Sequence, residues 1–183
     1  MQIINDKKGL VFDLDNTIAK LNWITALTQP RLVGQLLKLK AQSDRFRGLR
    51  PHNLAIEISH NLNQSLDELD KLTAIAYRRA AIPKEVTALI SAWDKMGKPR
   101  AIVSDHTAIA KLNELGLSQG WSAVISCREH NAFKPLSDGL WAAAAHLGLP
   151  PTDIVFIGDR YDTDGLAAFE FGCQFVHIDD LKN

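Results

Sequence analysis

The stretch Gly9-Leu10-Val11-Phe12-Asp13-Leu14-Asp15-Asn16-Thr17 constrains this chain more than any other: an apolar run halts at two carboxylates one residue apart. It reads as a buried strand that delivers acids to its own carboxyl end. Side chains i and i+2 of a regular strand share a face, so Asp13 and Asp15 are expected to converge. Like charges that close resist joint ionisation, and oxygen ligands around a hard cation relieve the repulsion. The pair therefore calls for a magnesium site and for further acids to complete it. A D-x-D without such company is simply a solvated strand end.

From Pro83 onward short apolar runs alternate with helical periods. Strands are expected at residues 100–104, 123–126, 154–157 and 175–178. Helices are expected from Pro83 to a stop at Gly97, from Asp105-His106-Thr107 to Gly116, around Trp141 to Leu147 before Gly148, and up to Gly172. Strands that are apolar throughout and separated by helices indicate a parallel sheet covered on both faces. The expected fold class is α/β, a doubly wound parallel sheet with a small helical insertion after its first strand.

That insertion has a different rhythm. Leu32, Val33, Leu36, Leu37 and Leu39 repeat at helix spacing, as do Leu66, Leu69, Leu72, Ile75 and Ala76, with Ser65 and Glu68 forming a capping box. The expected organisation is a core of residues 1–19 and 83–183 and a helical unit of residues 20–82. Between the two helical sets lies a basic cluster broken by Gly48 and Pro51. Its Arg45, Arg47 and Arg50 either hold something anionic or form a solvated surface, and Arg78 and Arg79 carry the same two readings. Trp23 and Phe46 either line an apolar pocket or pack the insertion's own core.

Bulk properties narrow the partners. With 183 residues and 46% hydrophobic content, one domain with a modest insertion can build a real core. Lysine plus arginine equals aspartate plus glutamate at 21 each, so no overall field draws the chain to nucleic acid or anionic lipid. Cys127 and Cys173 stand far apart without metal-ligand spacing, which argues against a disulfide framework or a zinc site. No apolar run approaches the roughly 20 residues of a membrane span, and the N-terminus lacks a signal-peptide layout. The expectation is a cytoplasmic protein, monomeric or weakly dimeric, with no nucleic-acid or membrane partner.

In doubly wound sheets ligands bind beyond the carboxyl ends of the strands, where strand order reverses. Asp13, Asp15, Ser104 and Asp159 all fall at expected strand ends. Carboxylates that hold a cation, with a hydroxyl and a lysine for phosphate oxygens, suit phosphoryl transfer.

At this point the residues resemble a known family. Asp13-Leu14-Asp15-Asn16-Thr17, Ser104, Lys134-Pro135, and Gly158-Asp159 with Asp164 are similar, in this order, to the four motifs of the haloacid dehalogenase superfamily. The likeness covers roughly residues 8–19 and 83–179. It implies that Asp13 is a nucleophile forming an aspartyl-phosphate, and that Asp15 protonates the leaving group and then activates water. It implies Mg2+ held by the Asp13 carboxylate, the Asp15 backbone carbonyl and Asp159, with Asp164 orienting the metal shell and Asp162 in reserve or at the surface. Ser104 and Lys134 would bind the phosphoryl group, and Thr17 would support the loop after the first strand. Asp105 joins the substrate-binding set and also suits a helix cap, with His106 beside it.

The position of the insertion resembles a C1-type cap. The dehalogenases of the family lack the second acid, so Asp15 argues for phosphate chemistry. The implied function is a magnesium-dependent phosphatase acting on a small phosphorylated metabolite such as phosphoglycolate or a sugar phosphate. The alternatives are a phosphomutase, a receiver-like phospho-aspartate module, or a protein that kept the fold without activity.

Overall fold

The apolar run at the start of the chain forms β1 (Gly9–Phe12), every residue of it buried. In the computed structural model, which describes residues 4, 6–20, 28, 30, 33, 34, 37, 38, 70, 71, 74–78, 80–129 and 132–182, β1 is the centre of the sheet. The other strands are β2 (Arg100–Ser104), β3 (Ala123–Ser126), β4 (Ile154–Gly158) and β5 (Gln174–His177). Their order is β3-β2-β1-β4-β5, and every pairing is parallel. The chain steps outward from β1 through β2 to β3, then returns to the other side of β1 for β4. Strand order therefore reverses at β1, and the crevice of a doubly wound sheet opens beside it.

The alternation of β1 divides the core into two layers. Leu10 and Phe12 face Trp93, Ile102, Leu112, Val155 and Ile157, whereas Val11 faces the layer of Val103, Ile125, Leu140, Ala143 and Phe156. Helices cover both faces: α1 (Lys84–Lys95) and α2 (Ile109–Leu115) on the first, α3 (Asp138–Leu147) and α4 (Leu166–Phe171) on the second. In α1 the buried positions are Val86, Leu89, Ile90 and Trp93, the i, i+3, i+4, i+7 stripe of an amphipathic helix. Trp93 is wholly buried because its indole N–H finds the Pro99 carbonyl at 3.0 Å. Truncating it to alanine would cost about 3–5 kcal/mol. Helix α3 stops at Gly148, where φ is 65°, a conformation that favours glycine.

The expected α/β architecture is the one found, with shifts at element ends. Strand β5 begins and ends one residue earlier than expected, because Ile178 opens a 3-10 turn (Ile178–Lys182). Helix α3 starts three residues before Trp141. The helix expected from Asp105 begins only at Ile109, with Ala108 at its N-cap position and no side-chain cap. The capping role suggested for Asp105 is thus corrected: its carboxylate is used elsewhere.

Two described parts of the 20–82 segment reach the core. Asp70 is buried against Arg128 at 2.9 Å, and Tyr77 is buried beside β1. Arg78 pairs with Glu114 at the surface. The capping box, Arg79, Trp23, Phe46 and the cluster of Arg45, Arg47 and Arg50 lie outside the described residues.

Candidate active site

Strand β1 ends at Phe12, and the chain turns at once. Asn16 has a positive φ of 65°, and Asp15 bridges to Ala19. The strand alternation that would converge Asp13 and Asp15 has therefore already ended, and each acid meets its own partners.

Asp13 stays in line with the sheet, its backbone N–H donating to Ile157 of β4 at 2.8 Å. Its side chain is buried, with the Lys134 ammonium 2.6 Å from Oδ1 and the Thr17 hydroxyl donating to Oδ2 at 3.0 Å. The same ammonium lies 2.7 Å from Asp164 Oδ1. Burial, reinforced by the Asp164 and Asp15 carboxylates, pushes Asp13 well above the usual carboxylate range despite the pull of Lys134. Burial opposes the charge on Lys134, but Asp13, Asp164 and Asp105 outweigh it and raise that lysine.

The fourth strand brings the remaining acids. After β4 the chain winds into one π-helical turn (Tyr161–Gly165), which folds Asp164 back over the strand end. Its carboxylate accepts the Arg160 backbone N–H at 3.1 Å. A Cβ on Gly158 would meet the Asp164 carboxyl carbon at 2.6 Å, so the close approach requires glycine there. Asp162 turns outward to Arg160 at 2.8 Å and half of its side chain is exposed. Oxygens of Asp13, Asp159 and Asp164 all lie within 4.8 Å of one another. Burial and the Asp164 charge raise Asp159 as well. Two of the three carboxylates, Asp13 and Asp164, share the Lys134 ammonium, so acids outnumber the cation here. All the donors are hard oxygens, the chemistry that suits Mg2+.

Ser104 ends β2, the strand beside β1, and its buried hydroxyl has no hydrogen-bond partner among the described residues. A buried donor in that condition is suited to a ligand. Asp105 accepts the backbone N–H of Lys134 at 2.9 Å, tying the Lys134 loop to the end of β2. His106 packs near Phe133 and faces Asp70 at 3.8 Å, and burial, with Lys111 nearby, lowers its pKa.

Asp15 stands apart from this cluster. Both of its oxygens accept from the Lys111 ammonium at 2.7 Å, and Oδ1 also accepts from the Tyr77 hydroxyl at 2.5 Å. Burial works against ionisation of Asp15, but Lys111 and these hydrogen bonds prevail and hold it below the ordinary carboxylate value. Burial and the adjacent Asp15 charge keep Tyr77 protonated by raising its pKa.

Lys111 and Tyr77 escaped the sequence reading. A signal for Lys111 existed: it lies three residues after Ala108 and one before Leu112, on the inward stripe of α2 where a lysine is out of place. Tyr77 adjoins the periodic Ile75 and Ala76, and nothing in its spacing distinguishes it from core.

With this geometry in hand, comparison with known proteins identifies the family. The model of the haloacid dehalogenase-like hydrolases matches residues 7–172. This chain belongs to that family. The expectation of a hydrolase of this family stands with the match, and the receiver-like alternative falls.

A glyceraldehyde 3-phosphate phosphatase of Methanocaldococcus jannaschii is 23% identical, over 93% of this chain and 84% of that protein. Among solved structures, a phosphatase of the same family from Thermococcus onnurineus superposes with a TM-score of 0.69 at 20% identity, covering 93% of this chain and 85% of that one. A β-phosphoglucomutase from Clostridium difficile gives 0.70 at 15% identity, covering 93% and 84%. At such identities the likeness to the two structures is one of fold. No described helix is long and apolar enough to cross a membrane.

Proposed function

We propose that this protein is a Mg2+-dependent phosphatase of small phosphorylated metabolites, working through an aspartyl-phosphate on Asp13. One observation carries the reading: among the described residues, Asp13 alone belongs at once to the three-carboxylate cluster, to the Lys134 ion pair and to the Thr17 hydrogen bond. A carboxylate so placed is held still, and its charge and the incoming phosphate's are offset by the same ammonium.

The Asp13 carboxylate attacks phosphorus and the bond to the leaving oxygen breaks. Lys134 and the Ser104 hydroxyl bind the non-bridging oxygens, while Asp105 holds the Lys134 loop in place. Asp15 gives a proton to the leaving oxygen, a proton that enters with the substrate because the free carboxylate is ionised. It then takes a proton from the water that attacks the aspartyl-phosphate, releasing inorganic phosphate and restoring Asp13. Asp13, Asp159 and Asp164 would hold Mg2+, with the Asp15 backbone carbonyl as a further ligand. When bound, the ion supplies charge neutralisation for phosphate and acids alike.

We further propose that the 20–82 segment acts as the cap that selects the substrate, a reading supported by Tyr77, which reaches Asp15 from that segment, and by Asp70, which pairs with Arg128 of the core. The glyceraldehyde 3-phosphate phosphatase relative makes triose phosphates the first substrates to try, ahead of phosphoglycolate and larger sugar phosphates. Two free thiols, Cys127 and Cys173, accord with a reducing cytoplasm.

The test is steady-state hydrolysis of p-nitrophenyl phosphate and of a triose phosphate, with Mg2+ and with excess chelator. Turnover that requires Mg2+ is expected for both. Turnover indifferent to chelator rejects the metal assignment, and absence of turnover on any phosphomonoester rejects the activity. Transfer of the phosphoryl group to a sugar hydroxyl in place of water would make the protein a mutase.

A further inference from the structure

The proposed reaction leaves one geometric need unmet by the phosphate-binding groups. Lys134 and Ser104 fix phosphorus relative to Asp13, but neither touches the acid that must address the leaving oxygen. That acid lies beyond the strand, in a turn, with a third of its side chain exposed. General acid catalysis needs its oxygen within roughly 2.6–3.2 Å of the atom it protonates, so a freely rotating carboxylate would waste most encounters.

Two residues outside the four motifs remove that freedom. Lys111 is buried on the inward stripe of α2, and its ammonium lies 2.7 Å from both Asp15 oxygens. An ammonium in such a place is costly unless paired, so carboxylate and lysine restrain each other. Tyr77 adds a hydroxyl donor to Oδ1, and its ring lies 5.3 Å from the same ammonium. Donors approach Asp15 from two separate elements: α2 of the core, and the segment that returns from the insertion.

We propose that Lys111 and Tyr77 are positioning residues for Asp15, fixing the direction in which its carboxyl meets the leaving-group oxygen. The inference rests on the phosphatase reading above. Neither residue touches the phosphate; both act through Asp15. Their worth therefore depends on how much the leaving group needs a proton. A primary alcohol leaves poorly without one, whereas p-nitrophenolate leaves readily.

The deciding measurement is kcat/KM, which reports events through phosphoryl transfer to Asp13, for a series of phosphate monoesters from p-nitrophenyl to primary alkyl. Lys111→Met should lower kcat/KM for the alkyl ester about ten- to a hundredfold, a part of the 10²–10⁴-fold that general acid catalysis supplies. The aryl ester should lose far less, so the dependence on leaving-group pKa steepens. Lys111→Arg should restore part of the alkyl-ester rate. Tyr77→Phe, which keeps the ring in the core, should give a smaller change in the same direction and serves if Lys111→Met does not fold. In an Asp15→Asn background, Lys111→Met should add little.

Equal losses for aryl and alkyl esters, or losses that multiply fully with Asp15→Asn, would overturn the proposal. Either result would leave the phosphatase reading standing, since that reading fails only if the unaltered protein hydrolyses none of the esters.

Discussion

Asp13 and Asp15 sit two residues apart at the end of one strand, yet the fold drives them in opposite electrostatic directions. Asp13 shares the single ammonium of Lys134 with Asp164, and burial among acids raises it. Asp15 has the Lys111 ammonium on both oxygens and a tyrosine hydroxyl besides, and is lowered. Chain position does not decide the character of either acid. What decides it is which distant element arrives opposite: the loop before α3 and the turn after β4 for one, α2 and the returning insertion for the other. Pairs of titratable groups pushed apart in this way mark a division of labour.

The contrast can be broken in several ways. Asp13→Asn should reduce phosphomonoester hydrolysis to background, since it removes the nucleophile. In chelator its melting temperature should be no lower than that of the unaltered protein, because one of the crowded negative charges is gone. A variant that kept near-normal turnover would reject the covalent route, and a large drop in melting temperature would show that Asp13 is not under electrostatic pressure.

Asp15→Asn should retain Asp13 and the metal cluster and lose about 10²–10⁴-fold in kcat on an alkyl phosphate. Rapid-quench trapping of the phosphoenzyme would show whether the loss falls on its formation or on its hydrolysis.

The third test compares the two sites through pH. A carboxyl whose pKa is raised on folding binds more protons in the native than in the unfolded chain between its two pKa values, so stability falls as pH rises through that window. For Asp13 and Asp159 the window lies above the ordinary carboxylate range. Without metal, melting temperature should therefore decline as pH is raised through it. Asp15, lowered on folding, contributes in the opposite sense, and its share is present above the ordinary carboxylate pKa and lost as pH falls below it. Mg2+ at a hundred times its Kd should restore about 2.7 kcal/mol at neutral pH and less in acid, where the cluster is protonated. Thermal melts across pH with and without Mg2+ read this directly, and a pH-independent Mg2+ shift would refute the cluster as the binding site.

The smallest effect separates neighbours within one turn. Asp164→Asn should weaken Mg2+ binding measurably by calorimetry. Asp162→Asn, which alters the outward pair with Arg160, should leave binding unchanged and stability within about 0.5 kcal/mol.

The sequence was most legible where chemistry and periodicity coincide. The apolar runs foretold all five described strands, and the acids at the ends of β1 and β4 foretold the carboxylates that gather there. The helix after β2 was placed too early because Asp105 looks like a cap, when in fact its carboxylate is engaged by a backbone N–H almost thirty residues further along the chain, at Lys134. Asp164 could be chosen over Asp162 only by motif spacing; the π-helical turn that carries one inward and the other outward leaves no compositional trace. Lys111 and Tyr77 were missed for a related reason. Their importance comes from a meeting of residues far apart in the chain, and local pattern records only that one is a lysine on a greasy stripe and the other an aromatic among apolar neighbours.

The tie between Asp105 and the Lys134 backbone has a mechanical consequence. A hydroxyl at the tip of one strand and an ammonium on a separate loop become jaws of a single vice, since whatever shifts the strand tip drags the loop along. The gap between the jaws is then preset before any phosphate arrives, and changes in the length of the intervening chain can be absorbed without altering the bite.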